Sequence, residues 1–229
     1  MLYWKYFLLF IFLLPFTSFA QFSIGIKAGY NYFIILDNAE QDPHYTAKYS
    51  SCDNSFYTGI SGDMALTKHF KAGAELEYMN YSFGVQSDYG GLGGGTETDL
   101  HYDLGYLNLV FMPEFAFGRK WKFLLNPGIY LGFLLHSHVE GTTSSWIMGE
   151  PSYAHDTLDS SAQSEFNEIN LGIRLGIGVS VQLSKRIDLI LESRYAVSIS
   201  KITGTTRWGG DCRFLDLGLS FGVSYRLSR

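Results

Sequence analysis

The residues best equipped for chemistry fall into three small groups. His136-Ser137-His138 puts two imidazoles around a hydroxyl, and Glu140 or Asp103 supplies an acid to orient a base, the residue set of hydrolytic acyl transfer on a lipid. Adjacent residues of an extended chain point to opposite faces, so His136 and Ser137 are poorly placed to share a proton. The His-x-His pair could also ligate a metal, but two ligands without a third are weak grounds for a metal centre. The remaining histidines, His44, His69, His101 and His155, complete no triad. The second group, Gly90, Gly91, Gly93, Gly94 and Gly95, lacks the Gly-Lys-Ser/Thr ending and following helix of a phosphate loop, and reads as a flexible loop tip. The third is the pair Cys52 and Cys212, with no metal-type spacing. These groups give no catalytic residue, no metal and no cofactor.

Composition narrows the setting in which such residues would act. The 229 residues are 46% hydrophobic and 17% aromatic, which excludes a disordered chain and suits one mid-sized domain. Seventeen Lys and Arg stand against 22 Asp and Glu, a net charge of -5, so the basic footprint of a nucleic-acid binder is absent. Mean hydropathy near zero is too low for a bundle of membrane-spanning helices. Residues 1–20 carry one charge, Lys5, then an apolar run from Tyr6 to Pro15 and a small-x-small site at Ser18-Phe19-Ala20. That layout predicts a secretory signal peptide cleaved near Ala20. Pro15 interrupts the run, and about 20 apolar residues are needed to span a bilayer, which weighs against an uncleaved anchor. Export favours a Cys52–Cys212 disulfide over two unpaired thiols.

From residue 21 to residue 229 the pattern is alternation with period two, the signature of strands. Ile169, Leu171, Ile173, Leu175, Ile177, Val179, Val181 and Leu183 share one face, and Asn170, Gly172, Arg174, Gly176, Gly178, Ser180 and Gln182 the other. Leu215 to Leu227 repeats this, with Asp216, Gly218, Ser220, Gly222, Ser224 and Arg226 on the second face. Weaker versions lie at 22–33, 55–70, 71–85, 100–117, 121–135 and 186–199, making eight candidate strands. A register slip is expected near Met79 to Tyr81, and a bulge or strand end at Pro113 and Pro127. Thr67-Lys68-His69, Gly118-Arg119-Lys120 and Ser184-Lys185 are tight turns, whereas 34–54, 86–99, 136–167 and 200–211 are long polar loops. Short links at one end and long ones at the other, with an even strand count, predict an eight-stranded antiparallel up-and-down transmembrane β-barrel.

Volume then decides which face meets lipid. An eight-stranded barrel has an interior barely wide enough for its own side chains, so the large apolar face must look outward. Lys27, Asp63, Glu75, Glu77, Glu114, Arg174, Asp188, Glu192, Arg194, Asp216 and Arg226 fall on the inward parity. They read as a charge network plugging the lumen by mutual pairing, the alternative being a hydrated cation path with Glu75, Glu77 and Glu114 as ligands. Aromatic residues at strand ends suggest two interfacial girdles, Phe22, Phe70, Phe117, Trp121 and Tyr225 towards the tight turns and Tyr30, Tyr32, Phe56, Tyr102, Phe133, Tyr195 and Phe214 towards the long loops. Closure of the barrel makes the first and fourth long loops neighbours, which brings Cys52 towards Cys212. In the third long loop Trp146, Ile147, Met148 and Tyr153 are the candidates for touching a partner or lipopolysaccharide headgroups.

With the strands placed, the segments Phe22-Ser23-Ile24-Gly25-Ile26-Lys27-Ala28-Gly29-Tyr30-Asn31-Tyr32, Gly105-Tyr106-Leu107-Asn108-Leu109, Asn126-Pro127-Gly128-Ile129-Tyr130-Leu131-Gly132 and Gly222-Val223-Ser224-Tyr225-Arg226-Leu227 are similar to the PorT-like outer-membrane β-barrel family of the Bacteroidota. The resemblance spans nearly all of 21–229 and implies an integral outer-membrane barrel with periplasmic termini. It carries over no catalytic motif. The name-giving member is associated with type IX secretion, which sets a secretion or transport accessory beside a structural or interaction role through the outer loops. The same architecture would also serve a narrow ion channel or a lipid-A-modifying enzyme. The partners expected are outer-membrane lipid, lipopolysaccharide and a protein at the loops or turns.

Overall fold

Residues that alternate between bulky apolar and small or polar types satisfy two different surroundings only as strands, and strand is what nearly all of the described chain forms. The computed structural model describes residues 21–36, 45–49, 55–91, 93–147, 154–203 and 212–227. Among these described residues, ten strands follow in order: β1 (Gln21–Leu36), β2 (Tyr45–Tyr49), β3 (Ser55–Ala65), β4 (Phe70–Gly91), β5 (Gly94–Gly118), β6 (Trp121–Ile147), β7 (Ala154–Ser161), β8 (Ile169–Gln182), β9 (Ile187–Ser198) and β10 (Arg213–Arg226). All their pairings are antiparallel. Eight form the ring β1-β3-β4-β5-β6-β8-β9-β10, closed where β1 from Ser23 to Leu36 pairs with β10 from Arg226 to Arg213. Closure leaves the ring without an edge, so the wall can satisfy its own backbone groups away from water. Ile26, Ile60 and Leu219 on the outer wall are each more than half exposed, as a lipid-facing surface requires.

The remaining strands lie where long loops were expected. β2 adds to β4 from Tyr45↔Tyr89 to Tyr49↔Val85, and β7 adds to β6 from His138↔Ser161 to Ser145↔Ala154. β4, β5 and β6 are 22, 25 and 27 residues long, about twice what crosses a bilayer. They run past the ring and form, with β2 and β7, a five-stranded sheet at the long-loop end. Residues 141–145 of β6 are half-buried at both parities, so stretches such as Thr142-Thr143-Ser144-Ser145 are strand without alternation. The glycine cluster is the tip of the β4–β5 hairpin, with Gly90↔Gly95 and Gly91↔Gly94 paired across it.

Two hydroxyls build two of the tight turns. Thr67 Oγ1 accepts from the His69 and Phe70 amides at 3.2 and 3.0 Å, and Ser184 Oγ accepts from those of Arg186 and Ile187 at 3.2 and 3.1 Å. The third turn uses Gly118 at φ 123°, where a Cβ would collide with the Trp121 carbonyl.

The irregularities sit elsewhere than expected. No slip occurs at Met79 to Tyr81, because β4 pairs with β5 in one register from Phe70↔Phe115 to Gly91↔Gly94. The bulge lies between Gly105 and Tyr106, where Leu135 is an extra residue on β6. At Pro113 and Pro127 there is neither bulge nor strand end. The pairs Phe111↔Ile129 and Phe115↔Leu125 flank an unpaired gap in unchanged register, with the two prolines facing each other across it. Neither has an N–H to give, so the ladder opens there without shifting.

Candidate functional site in the barrel interior

Every second residue of each wall strand points inward, and in the middle of the barrel those residues are ions. β1 contributes Lys27, β4 Glu75 and Glu77, β8 Arg174, β9 Glu192 and Arg194, all at most 7% exposed. Arg174 is the hub: Nη1 donates to Glu77 Oε1 at 2.5 Å, and Nη2 to Glu75 Oε2 at 3.0 Å and Glu192 Oε1 at 3.3 Å. Lys27 Nζ lies 3.3 Å from Glu75 Oε2 and 3.6 Å from Glu192 Oε2. Arg194 Nη1 donates to Glu77 at 2.9 Å while its guanidinium carbon sits 3.6 Å above the Tyr57 ring centroid. Three cations thus meet three carboxylates, the balance that burial of charge demands. Glycine admits them: a Cβ on Gly176 would lie 2.9 Å from the Glu192 carboxylate.

The other inward charges divide into separate groups. Towards the tight turns Lys71 reaches Glu114 at 2.5 Å and Arg226 pairs with Asp188 at 2.5 Å. Asp63 lies near Lys71 and Glu114, its carboxylate over Gly73. Asp216 is held by neutral donors, Asn31 Nδ2 at 3.2 Å and Tyr81 Oη at 3.1 Å. Between these layers Glu77, Tyr81, Asn108, Tyr130, Arg174, Arg194 and Asp216 line a cavity of about 10 Å³, one water's worth. Among the described residues Arg194 Nη2 and Asn108 Oδ1 have no hydrogen-bond partner, and both residues line this cavity.

The long-loop half of the same lumen is apolar. Phe33, Met79, Tyr81, Phe83, Val85 and Tyr102 are buried with Leu104, Tyr106, Phe166, Ile202 and Phe214 in one cluster. Tyr81 stacks on Phe214 at 4.2 Å between centroids and 6° between planes, and Phe33 meets Tyr81 edge-on at 5.0 Å. Phe166 comes from the segment before β8, which folds back over the barrel mouth. A 3-10 turn at Gln163–Glu165 precedes it, Tyr102 Oη donates to Glu165 at 3.1 Å, and the Asn167 amide donates to the Ile202 carbonyl at 2.9 Å. Tyr102 and Phe214 therefore belong to this interior cluster and not to an outer girdle. They share the parity of Glu114 and Asp216, and parity, not closeness to a strand end, decides the face. Sequence reasoning missed the cluster, although Met79, Tyr81, Phe83 and Val85 continue the inward parity of Glu75 and Glu77.

The remaining candidate residues lie away from the lumen's ions and rings. Phe22, Tyr30, Tyr32, Phe56, Phe117, Trp121, Phe133, Tyr195 and Tyr225 are exposed on the outer wall, and Phe70 is half-buried against Phe115. Trp146 and Ile147 are exposed at the end of β6, whereas Met148 and Tyr153 lie outside the described residues. Cys52 lies outside them too, and Cys212 is buried just before β10. His136 is on the outer wall, stacked on Tyr78 at 6.4 Å, while Ser137 is buried facing inward, so the two share no proton. His138 approaches Asp159 at 3.4 Å, and the structure brings Ser82 Oγ to His101 Nε2 at 2.9 Å, a pair invisible in the sequence. Among the described residues no three His, Cys, Asp or Glu side chains gather to hold a metal.

A family model described as an outer membrane protein beta-barrel domain matches residues 19–204. No curated protein matches the chain. Among solved structures it is similar to Neisserial surface protein A, with 16% identity over 91% of this chain and 99% of that one and a TM-score of 0.45. It is also similar to the attachment invasion locus protein Ail of Yersinia pestis, with 11% identity, coverage of 90% and 98% and a TM-score of 0.41. OprG from Pseudomonas aeruginosa shares 11% identity over 90% of this chain and 96% of that one, with a TM-score of 0.43.

Proposed function

Since the chain belongs to the outer membrane protein beta-barrel domain family, and so to the outer membrane of a Gram-negative bacterium, we propose that it is a plugged, non-enzymatic barrel whose working part is the sheet beyond the ring. The observation that carries this reading is the continuation of β4, β5 and β6 into the five-stranded sheet, whose end bears exposed Tyr89, Trp146 and Ile147. A rigid platform with aromatic side chains at its tip suits recognition of a macromolecule better than passage of a solute. The buried ion pairs and the aromatic cluster support closure of the lumen. In this reading residues 1–20 are a signal peptide removed near Ala20, the tight turns and both termini face the periplasm, and the sheet faces outward to lipopolysaccharide headgroups or a protein. The PorT-like resemblance supports a place in the Bacteroidota and keeps an accessory role in secretion within the same reading. The test is photocrosslinking in intact cells from a reactive residue at position 146 or 147. The reading expects a discrete adduct that disappears when Tyr89 is also replaced by Ser. Absence of any adduct from both positions, in cells where the barrel is folded, would overturn it.

A further inference from the structure

The exposed charged residues of the three tight turns are of one sign. Lys68 lies in the β3–β4 turn, Arg119 and Lys120 in the β5–β6 turn, Lys185 and Arg186 in the β8–β9 turn, and no acid shares those turns. The turns alternate with the open strand gaps around the ring, so the charge is spread along the circumference. The nearby acids Asp63, Glu114 and Asp188 are buried inside, and Glu114 and Asp188 already hold Lys71 and Arg226. They do not offset the rim.

One of these cationic side chains is held against the outer wall, and exposed aromatics stand beside the turns. Arg186 Nη1 donates to Tyr225 Oη at 3.0 Å. His69 Nδ1 lies 3.0 Å from the Ala116 carbonyl oxygen, with its ring stacked on Phe117 at 6.2 Å. Trp121, 67% exposed, follows Lys120 directly. The hydroxyl-built turns hold Lys68 and Arg186 at this level. A cation fixed at the level of an interfacial aromatic is where a phosphodiester lies in a bilayer. The opposite end has the reverse sign, with exposed Asp88, Glu97, Asp99, Glu140 and Asp159 on the sheet.

We propose that the tight-turn rim is a collar that binds the phosphates of anionic phospholipids in the leaflet beside it. The ligand class is a phosphatidylglycerol-like headgroup, engaged by Lys68, Arg119, Lys120, Lys185 and Arg186 with the aromatic side chains as spacers. The barrel thereby distinguishes the two leaflets electrically, basic towards phospholipid and acidic at the far end. The proposal rests on the orientation given under Proposed function. Its failure leaves the sheet at the other end untouched, because that sheet is read by crosslinking.

The test uses the full barrel in phosphatidylcholine bilayers doped with spin-labelled phosphatidylglycerol or spin-labelled phosphatidylcholine. Electron paramagnetic resonance reads the motionally restricted fraction of each. Phosphatidylglycerol is expected to be preferred by about fivefold, the effect of one basic side chain at a charged membrane surface. The preference falls towards unity in the combined variant Lys68→Gln, Arg119→Gln, Lys120→Gln, Lys185→Gln, Arg186→Gln, and in about 1 M salt, where the Debye length is about 3 Å. All five positions are exposed, and heat-modifiability on a detergent gel verifies that the variant is folded. A second variant, Lys68→Arg with Lys185→Arg, keeps the charge and retains the preference. Equal association of both lipids with the wild type, an undiminished preference in the five-site variant, or its abolition by millimolar inorganic phosphate at constant ionic strength would each overturn the proposal.

Discussion

Glu75 and Glu77 of β4 share a face with Tyr81 and Phe83 a few residues further on, yet they meet different company. The carboxylates sit in a belt where each charge is needed by its neighbours, with Arg174 touching three acids. The rings sit in a cluster where any one of several neighbours can fill the space, Phe214 facing Tyr81, Phe33, Phe83 and Tyr106 at 4.2 to 6.5 Å. Both fill a narrow lumen, but one does so by stoichiometry and the other by volume. Removing an ion leaves charges behind, whereas removing a ring leaves a cavity.

The sharpest way to break that contrast is Arg174→Met. It strands Glu75, Glu77 and Glu192 with only Lys27 and Arg194, and should cost about 3–5 kcal/mol in urea unfolding from lipid vesicles. Adding Glu75→Gln removes one stranded acid and should recover part of the loss, a rescue that a volume effect would not show. Phe214→Ala in the aromatic half should cost about 3 kcal/mol by the same measurement, with no rescue from changing a charge. Phe166→Ala sharpens the comparison within the cluster. Its segment lies outside the ring and can lift without unfolding the wall, so the cost should be nearer about 1 kcal/mol. The smallest effect is expected at the wall: Pro113→Val with Pro127→Val returns two donors to the unpaired gap and should raise stability by about 1 kcal/mol. A loss there would mean that the gap is shaped by something besides the missing N–H groups.

The ring was legible in the sequence because lipid outside and a crowded axis inside impose period two, and β8 and β10 obey it over their whole lengths. The belt was legible for the same reason: Lys27, Glu75, Glu77, Arg174, Glu192 and Arg194 all fall on the inward parity. The aromatic cluster was not. Where the lumen turns from ions to rings, the inward face of β4 passes from Glu75 and Glu77 to Met79, Tyr81, Phe83 and Val85 while the outward face passes from Leu76 and Tyr78 to Asn80 and Ser82, and this exchange at Met79 to Tyr81 imitates a slip of register. β7 was hidden because Asp156, Thr157, Asp159, Ser160 and Ser161 put polar residues at both parities and leave no contrast of period two. The pairing of distant partners, such as Ser82 with His101, depends on register between strands and has no trace in local spacing.

Single-channel recording of the wild-type barrel in planar bilayers tests the closed interior most directly. The ion belt and the rings above it predict no steady conductance from protein that is folded by heat-modifiability, and the same silence in Phe166→Ala, because the belt below the mouth still closes the axis. A stable open level in the wild type would contradict the account.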